Sequence, residues 1–143
     1  MQVNIQKLTS TAIIPAYAHE GDAGADLYSI ETYVIPPREI VIIRTGLSIE
    51  IPLGYEGQIR SRSGLACKLG VAVVNSPGTV DHGYKGEVKV ALINHGLHHY
   101  KVTAGDRIAQ LVIAPVVSAK FTEVVELSNK SARGTGGFGS SGS

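Results

Sequence analysis

Helical periodicity is nearly absent from this chain. Short β-branched and apolar runs recur instead between glycine and proline punctuation. Val3 and Ile5 alternate with polar neighbours in residues 2–8, and residues 32–35 run into Pro36-Pro37. Residues 39–51 form a long strand pair broken near Gly46, and Ile59 alternates with charged residues in 58–62. Further runs cover 71–74, 85–94, 105–113 and 120–127. Runs of this length, bounded by turn residues, predict an all-β barrel or sandwich. Pro15 confines residues 12–18 to an edge or a connector, and Gly54-Tyr55-Glu56-Gly57 reads as a turn. Only residues 63–70 change character: Leu65, Ala66, Lys68 and Leu69 favour helix, with Ser63 as N-cap and Gly70 as the stop. The first turn of that helix would gather unpaired N–H groups beside Arg60 and Arg62, an anion site. The other reading is a short helix that only fills a barrel end.

The stretch from 75 to 87, Asn-Ser-Pro-Gly-Thr-Val-Asp-His-Gly-Tyr-Lys-Gly-Glu, carries the densest chemistry. Val71, Val73 and Val74 precede it and Val88, Val90, Leu92 and Ile93 follow, so two strands joined by a glycine-studded loop are expected. Asp81 lies three residues ahead of Tyr84. A carboxylate beside an aromatic face, on a turn with free backbone groups, suits a flat heterocycle and an activated water. Equally, Asp81 and Asn75 can form Asx-turns while Tyr84 packs in the core.

A chain of 143 residues fits one domain, since domains commonly run about 100–200 residues. Lys and Arg total 13 against 12 Asp and Glu, so no global field draws nucleic acid or membrane and anion binding must be local. The single cysteine, Cys67, excludes a disulfide framework and a cysteine metal site within the chain. His95, His98 and His99 lack both the spacing and the nearby carboxylate of a zinc site. No apolar run approaches the ~20 residues that span a bilayer, and the N-terminus lacks a secretory pattern. A cytoplasmic protein is expected. Residues 1–127 read as the barrel domain, and 128–143, rich in Gly and Ser, as a flexible C-terminal arm.

Five stretches, in order, resemble the five motifs of the homotrimeric dUTPase family, bacterial type. They are Ala23-Gly24-Ala25-Asp26-Leu27, then Arg62-Ser63-Gly64-Leu65-Ala66, then residues 78–87, then 105–111, and finally 133–142 with Arg133 and Phe138. Each alone is weak, but the five in sequence cover essentially the whole chain. Ser61 departs from the family's usual Pro before Arg-Ser-Gly, and Val80 from a frequent Ile. The resemblance implies a distorted jelly-roll β-barrel with one short helix and a C-terminal arm. It implies a homotrimer whose sites are shared between subunits, with no nucleic-acid or membrane partner.

The implied reaction converts dUTP and water to dUMP and pyrophosphate, with Mg²⁺ as cofactor. By resemblance, Asp81 is the general base that activates water against the α-phosphate. Asn75, Gly78, Val80, Tyr84 and Phe138 hold base and sugar. Arg62, Ser63, Gly64, Gln110, Arg133, Gly139 and Ser140 hold the phosphates, and Asp26 reaches Mg²⁺ through water. Alternation within 107–111 puts Gln110 on the same face as Ile108. No Gly-x-x-x-x-Gly-Lys-Ser/Thr loop is present, so the triphosphate is not held in the P-loop manner. A dCTP deaminase on the same fold is the nearest rival; Asp81 followed by Tyr84, and the arm's Arg-Gly-x-x-Gly-Phe-Gly pattern, favour the diphosphatase.

Overall fold

The computed structural model describes residues 1–128 and 134–137. Ten strands and one helix occur among them: β1 (Asn4–Lys7), β2 (Ala25–Tyr28), β3 (Tyr33–Ile35), β4 (Ile40–Glu50), β5 (Tyr55–Arg60), α1 (Ser63–Leu69), β6 (Val71–Val73), β7 (Gly78–Val80), β8 (Val88–Asn94), β9 (Tyr100–Val102) and β10 (Arg107–Pro115). One sheet has the order β1-β4-β8-β6, a second β2-β10-β5-β7, and β3 and β9 form a two-stranded ribbon. Every pairing between these strands is antiparallel. Two such sheets facing each other form the jelly-roll-like all-β fold expected.

Alternation builds the core. In β8, Val88, Val90 and Leu92 are buried while Lys89 is exposed, and the pattern closes on buried Asn94. Leu27, Ile43, Leu47, Ile49, Ile51, Val71, Val80, Ile108 and Leu111 join them between the sheets. Burying an aliphatic side chain of this kind stabilises by about 1.5–3 kcal/mol. Asn94 stays in the core because its side-chain amide donates to the carbonyls of Ile35 and His98 and accepts the Gly96 N–H, which leaves no buried polar group unpaired there.

Several expectations change in detail. Residues 39–51 are one strand, not two: β4 continues past Gly46 through a bulge, with Arg44 opposite Lys89 and Leu47 opposite Val88. Gly46 adopts φ +67 there, and a Cβ would meet Thr9 Oγ1 at 2.9 Å and Ala12 Cβ at 3.0 Å. Residues 55–57 are strand, not turn. Gly57 lies in β5 because Leu111, Ile51 and Val80 approach its Cα within 3.1–3.2 Å of where a Cβ would stand. The N-cap of α1 is Arg62, without a side-chain cap, and Ser63 is its first residue; Gly70 ends it in the left-handed region as expected. Ser61 Oγ accepts the Val73 N–H at 2.8 Å, so the residue departing from the family pattern ties the strand-to-helix turn to β6.

Residues 120–127 form no strand. After β10 the chain runs on with Val117, Phe121, Val125 and Leu127 at least 80% exposed. Their β-branched pattern is that of a strand, but no sheet edge among the described residues pairs with it.

Candidate active site

The hairpin expected at 71–94 forms, since β6 pairs with β8 from Val71↔Asn94 to Val73↔Leu92. Its loop does more than turn. Residues 78–80 cross to the other sheet as β7 and pair with β5, Gly78 opposite Ile59 and Val80 opposite Gly57. Because β7 ends that sheet, its far backbone edge has no strand partner among the described residues. That edge faces a cleft of about 380 Å³ walled by Asn75, Gly78, Thr79, Val80, Tyr84, Ile42 and Ala91, with Glu87 and Lys89 at its side. The Asn75 side chain folds over Gly78, where a Cβ would stand 3.2 Å from the Asn75 amide nitrogen. Asn75, Gly78, Val80 and Tyr84 are thus brought together.

The loop's returning leg is tied to β4 at successive points. His82 Nδ1 lies 2.7 Å from the Ile51 carbonyl, Ser48 Oγ donates to the Lys85 carbonyl at 2.9 Å, and Lys85 Nζ meets Glu50 at 2.5 Å. The Lys85 and Asn4 hydrogen bonds hold the Glu50 carboxyl below its ordinary 4.5. Tyr84 Oη donates to the Glu87 carbonyl at 3.0 Å.

A second group gathers where β2, β10 and β5 lie side by side. Gln110 is opposite Asp26 on one flank and Arg60 on the other. The Asp26 carboxylate is 4% exposed at residue level and takes a guanidinium on each oxygen: Arg62 Nε at 3.2 Å and Arg107 Nη1 at 3.3 Å. Arg62 also donates to the Arg107 carbonyl. Buried this deeply, the carboxylate has each oxygen matched by a guanidinium. Gly24 gives Gln110 its room, since a Cβ would stand 3.0 Å from Gln110 Cβ. A bulge between Arg107 and Ala109 shifts the β10 register. Ala109, Leu111 and Ile108 are consequently all buried, and Gln110 lies on the other face. The expected shared face of Ile108 and Gln110 is corrected by that bulge. Ser63 is exposed, and nothing lies within 4 Å of a Cβ placed on Gly64, so the start of α1 is open beside this cluster.

The Asp81 carbonyl accepts the Tyr84 N–H at 3.2 Å, but Asp81 lines neither the first cleft nor the arginine cluster. It lines a separate cleft of about 440 Å³ with His82, Tyr55, Glu56 and residues 115–118. Val80 is fixed opposite Gly57, and Arg62 lies five residues further along. Asp81, one residue on, falls level with Glu56, so at about 3.3 Å per extended residue its backbone is roughly 20 Å from that of Arg62. Arg133, Phe138, Gly139 and Ser140 lie outside the described residues. The sequence reading missed Arg107 and Glu87. Each is a charged residue at the mouth of an apolar strand, a position from which it can reach across to the neighbouring strand.

Among the described residues no group of three or more His, Cys, Asp or Glu side chains could hold a metal, and both Asp26 oxygens are engaged by arginines. A cation ligated by this chain alone does not fit. A Mg²⁺ that keeps its waters and binds chiefly to phosphate oxygens does, because it asks of the protein only an outer carboxylate.

A jelly roll with a strand edge unpaired among the described residues, lining one cleft with a tyrosine, and an arginine–carboxylate cluster beside an open helix start defines a class of all-β protein with separate polar and cationic sites. Comparison narrows the class. A model of the dUTPase family matches residues 10–142. The deoxyuridine 5'-triphosphate nucleotidohydrolase of Crocosphaera subtropica is 56% identical over 142 residues, covering 99% of each chain. That of Clostridioides difficile is 54% identical, covering 98% of this chain and 97% of its own. The dUTPase of Staphylococcus bacteriophage 80alpha, solved with dUPNHPP, superposes with a TM-score of 0.93 at 32% identity, covering 99% of both chains. A phage phi11 dUTPase mutant, described for its coordination of a structural Mg(II) ion, matches with a TM-score of 0.83 at 28% identity, covering 90% of this chain and all of its own. The chain belongs to the dUTPase family.

Proposed function

We propose that this protein hydrolyses dUTP to dUMP and pyrophosphate by attack of an Asp81-activated water on the α-phosphorus. The observation that carries this reading is the free edge of β7 in the cleft beneath Tyr84, in a chain of the dUTPase family. Uracil and cytosine invert donor and acceptor at ring positions 3 and 4. A fixed backbone edge mispairs with the wrong base, which gives rejection of roughly 10⁴–10⁵. Thymine adds only a methyl, and its exclusion is steric, worth about 1–3 kcal/mol against the packed Asn75–Gly78 turn. A ribose 2′-hydroxyl would meet the Tyr84 ring and lose its hydrogen-bond partners.

Arg62, Ser63, Gly64 and Gln110 take the phosphates, joined by Arg133, Gly139 and Ser140 of the arm, 128–143, which closes over the barrel, 1–127. Asp26 holds Arg62 and Arg107 ready, and the remaining lone pairs of its carboxylate would accept hydrogen bonds from the waters of a Mg²⁺ brought by the nucleotide, an ion that would offset phosphate charge. Charge-assisted bonds to phosphate contribute about 1.5–3 kcal/mol each. Phe138 covers the uracil face.

The roughly 20 Å between the Asp81 and Arg62 backbones, and the uncovered apolar run after β10, support a homotrimer. In it Asp81 and Tyr84 come from one subunit, Arg62, Ser63 and Gln110 from a second, and the arm from the third. Since dUTP is a nucleotide of the cell interior, we place the reaction in the cytoplasm. The test is a panel of dUTP, dCTP, dTTP and UTP with Mg²⁺, scored for pyrophosphate and ammonia. Pyrophosphate from dUTP, faster than from dTTP by roughly 10–100-fold and than from dCTP by roughly 10⁴–10⁵, is the expected result. Intact dUTP, or ammonia from dCTP, would overturn the reading.

A further inference from the structure

Tyr84 is an unusual choice for a discriminating ring, because it is 47% exposed. A half-exposed ring rejects a hydroxyl only if something other than the core holds it still. Its hydroxyl is held by the Glu87 carbonyl, so its seat is no firmer than the backbone at Glu87.

That backbone is anchored through its own side chain. Glu87 Oε1 accepts the Gly46 N–H at 2.9 Å, and the Arg44 Nε donates to both carboxylate oxygens at 3.2 and 3.0 Å. The Glu87 side chain is 12% exposed, against 58% and 51% for the Lys85–Glu50 pair one turn of the loop away. Although its partner Arg44 is 46% exposed, this is the less solvent-weakened of the two ion pairs in this leg. The anchor is itself rigid. Gly46 sits in the β4 bulge with its carbonyl on the Leu8 N–H at 2.7 Å, the Arg44 carbonyl takes the Ile30 N–H, and Thr45 Oγ1 donates to the Val88 carbonyl. Gly86 completes the seat, because a Cβ there would overlap the Tyr84 hydroxyl and ring.

We infer that Glu87 is a positioning residue for deoxyribose selection: its carboxylate, locked onto the β4 bulge at Gly46 and Arg44, fixes Tyr84 in the place from which the ring excludes a 2′-hydroxyl. This rests on the reading of Tyr84 as the sugar-facing ring. Gly86 serves the same end by leaving the phenol its floor.

The experiment measures kcat/KM for dUTP and for UTP in the full-length protein and takes their ratio, with the melting temperature alongside. Glu87→Ala lowers the ratio at least tenfold, chiefly by raising UTP turnover relative to dUTP. Glu87→Gln, which keeps an oxygen for the Gly46 N–H, stays within threefold of the wild-type ratio. Gly86→Ala, where φ is not positive and the backbone is unstrained, lowers the ratio by displacing the ring and does not depend on Glu87→Ala folding. An unchanged ratio in Gly86→Ala or Glu87→Ala overturns the inference, as does a parallel loss for both substrates or an equal fall in Glu87→Gln. Tyr84→Ala separates the two possible failures. If it relaxes the ratio while the other variants do not, only the bracing role falls. If it too leaves the ratio unchanged, sugar selection lies elsewhere and both readings fall.

Discussion

Residues 75–87 and residues 116–128 are both mostly irregular and both follow β-branched runs, and they end up in opposite conditions. The first crosses between the two sheets, pairs with β5, and is tied to β4 from Ile51 to Gly46. The second leaves β10 with Val117, Phe121 and Val125 more than 90% exposed. Apolar side chains stranded in water at that density mark a surface meant to be covered. One region is packed by its own chain; the other is left uncovered by the described residues. The candidate site divides the same way: Asn75, Gly78, Val80 and Tyr84 share one cleft, whereas Asp81 lines another, away from the Arg62–Asp26–Arg107 cluster.

The largest effect that sharpens this contrast is at Asp81. Asp81→Asn should bind a non-hydrolysable dUTP analogue nearly as wild type while turnover falls about 10²–10⁴-fold; steady-state rates and calorimetric titration together check it. Next come two apolar truncations, one per region. Leu27→Ala, in the sealed core, should cost about 2–5 kcal/mol at any protein concentration. Phe121→Ala should leave the monomer's stability alone and weaken assembly, so its denaturation midpoint drops only on dilution; denaturant melts over a concentration series show which holds. Deleting residues 132–143 should leave a folded barrel whose turnover falls roughly 10–100-fold, in line with ~1–3 kcal/mol for a lost stacking ring.

The smallest effect is at Glu50. Its carboxyl is held below 4.5 by Lys85 and then Asn4. A depressed folded-state value stabilises the protein above 4.5, and that contribution disappears as pH falls through the lowered value. Glu50→Gln should therefore lower the melting temperature slightly at pH 7, and the difference from wild type should vanish in acid and shrink with salt, because the pair is exposed.

How much of this was legible in advance differs by element. Strand periodicity is a local property, so the all-β class, the 71–94 hairpin and the Gly70 helix stop could be read from the chain. Bulges could not, because they are set by the partner strand. The Gly46 bulge made one strand of an expected two, and the bulge at Ile108 turned Gln110 to the opposite face. Gly57 looked like turn punctuation, but it is a strand residue forced small by Leu111, Ile51 and Val80. The expected strand at 120–127 has the right pattern and no edge to join. The base-cleft residues cluster because they are near in sequence. The Asp26–Arg107 pair, 81 residues apart, left no local trace.

The claim that the site is assembled from several copies is tested most directly by mixing. Asp81→Asn and Arg62→Ala chains, each inactive alone, are unfolded together in equal amounts and refolded, and dUTP hydrolysis is measured. Sites that draw Asp81 and Arg62 from different subunits should regain about a quarter of wild-type activity, since each position is filled by an intact residue about half the time. A mixture no more active than the two variants apart would mean that both residues act from one chain, and would contradict the account.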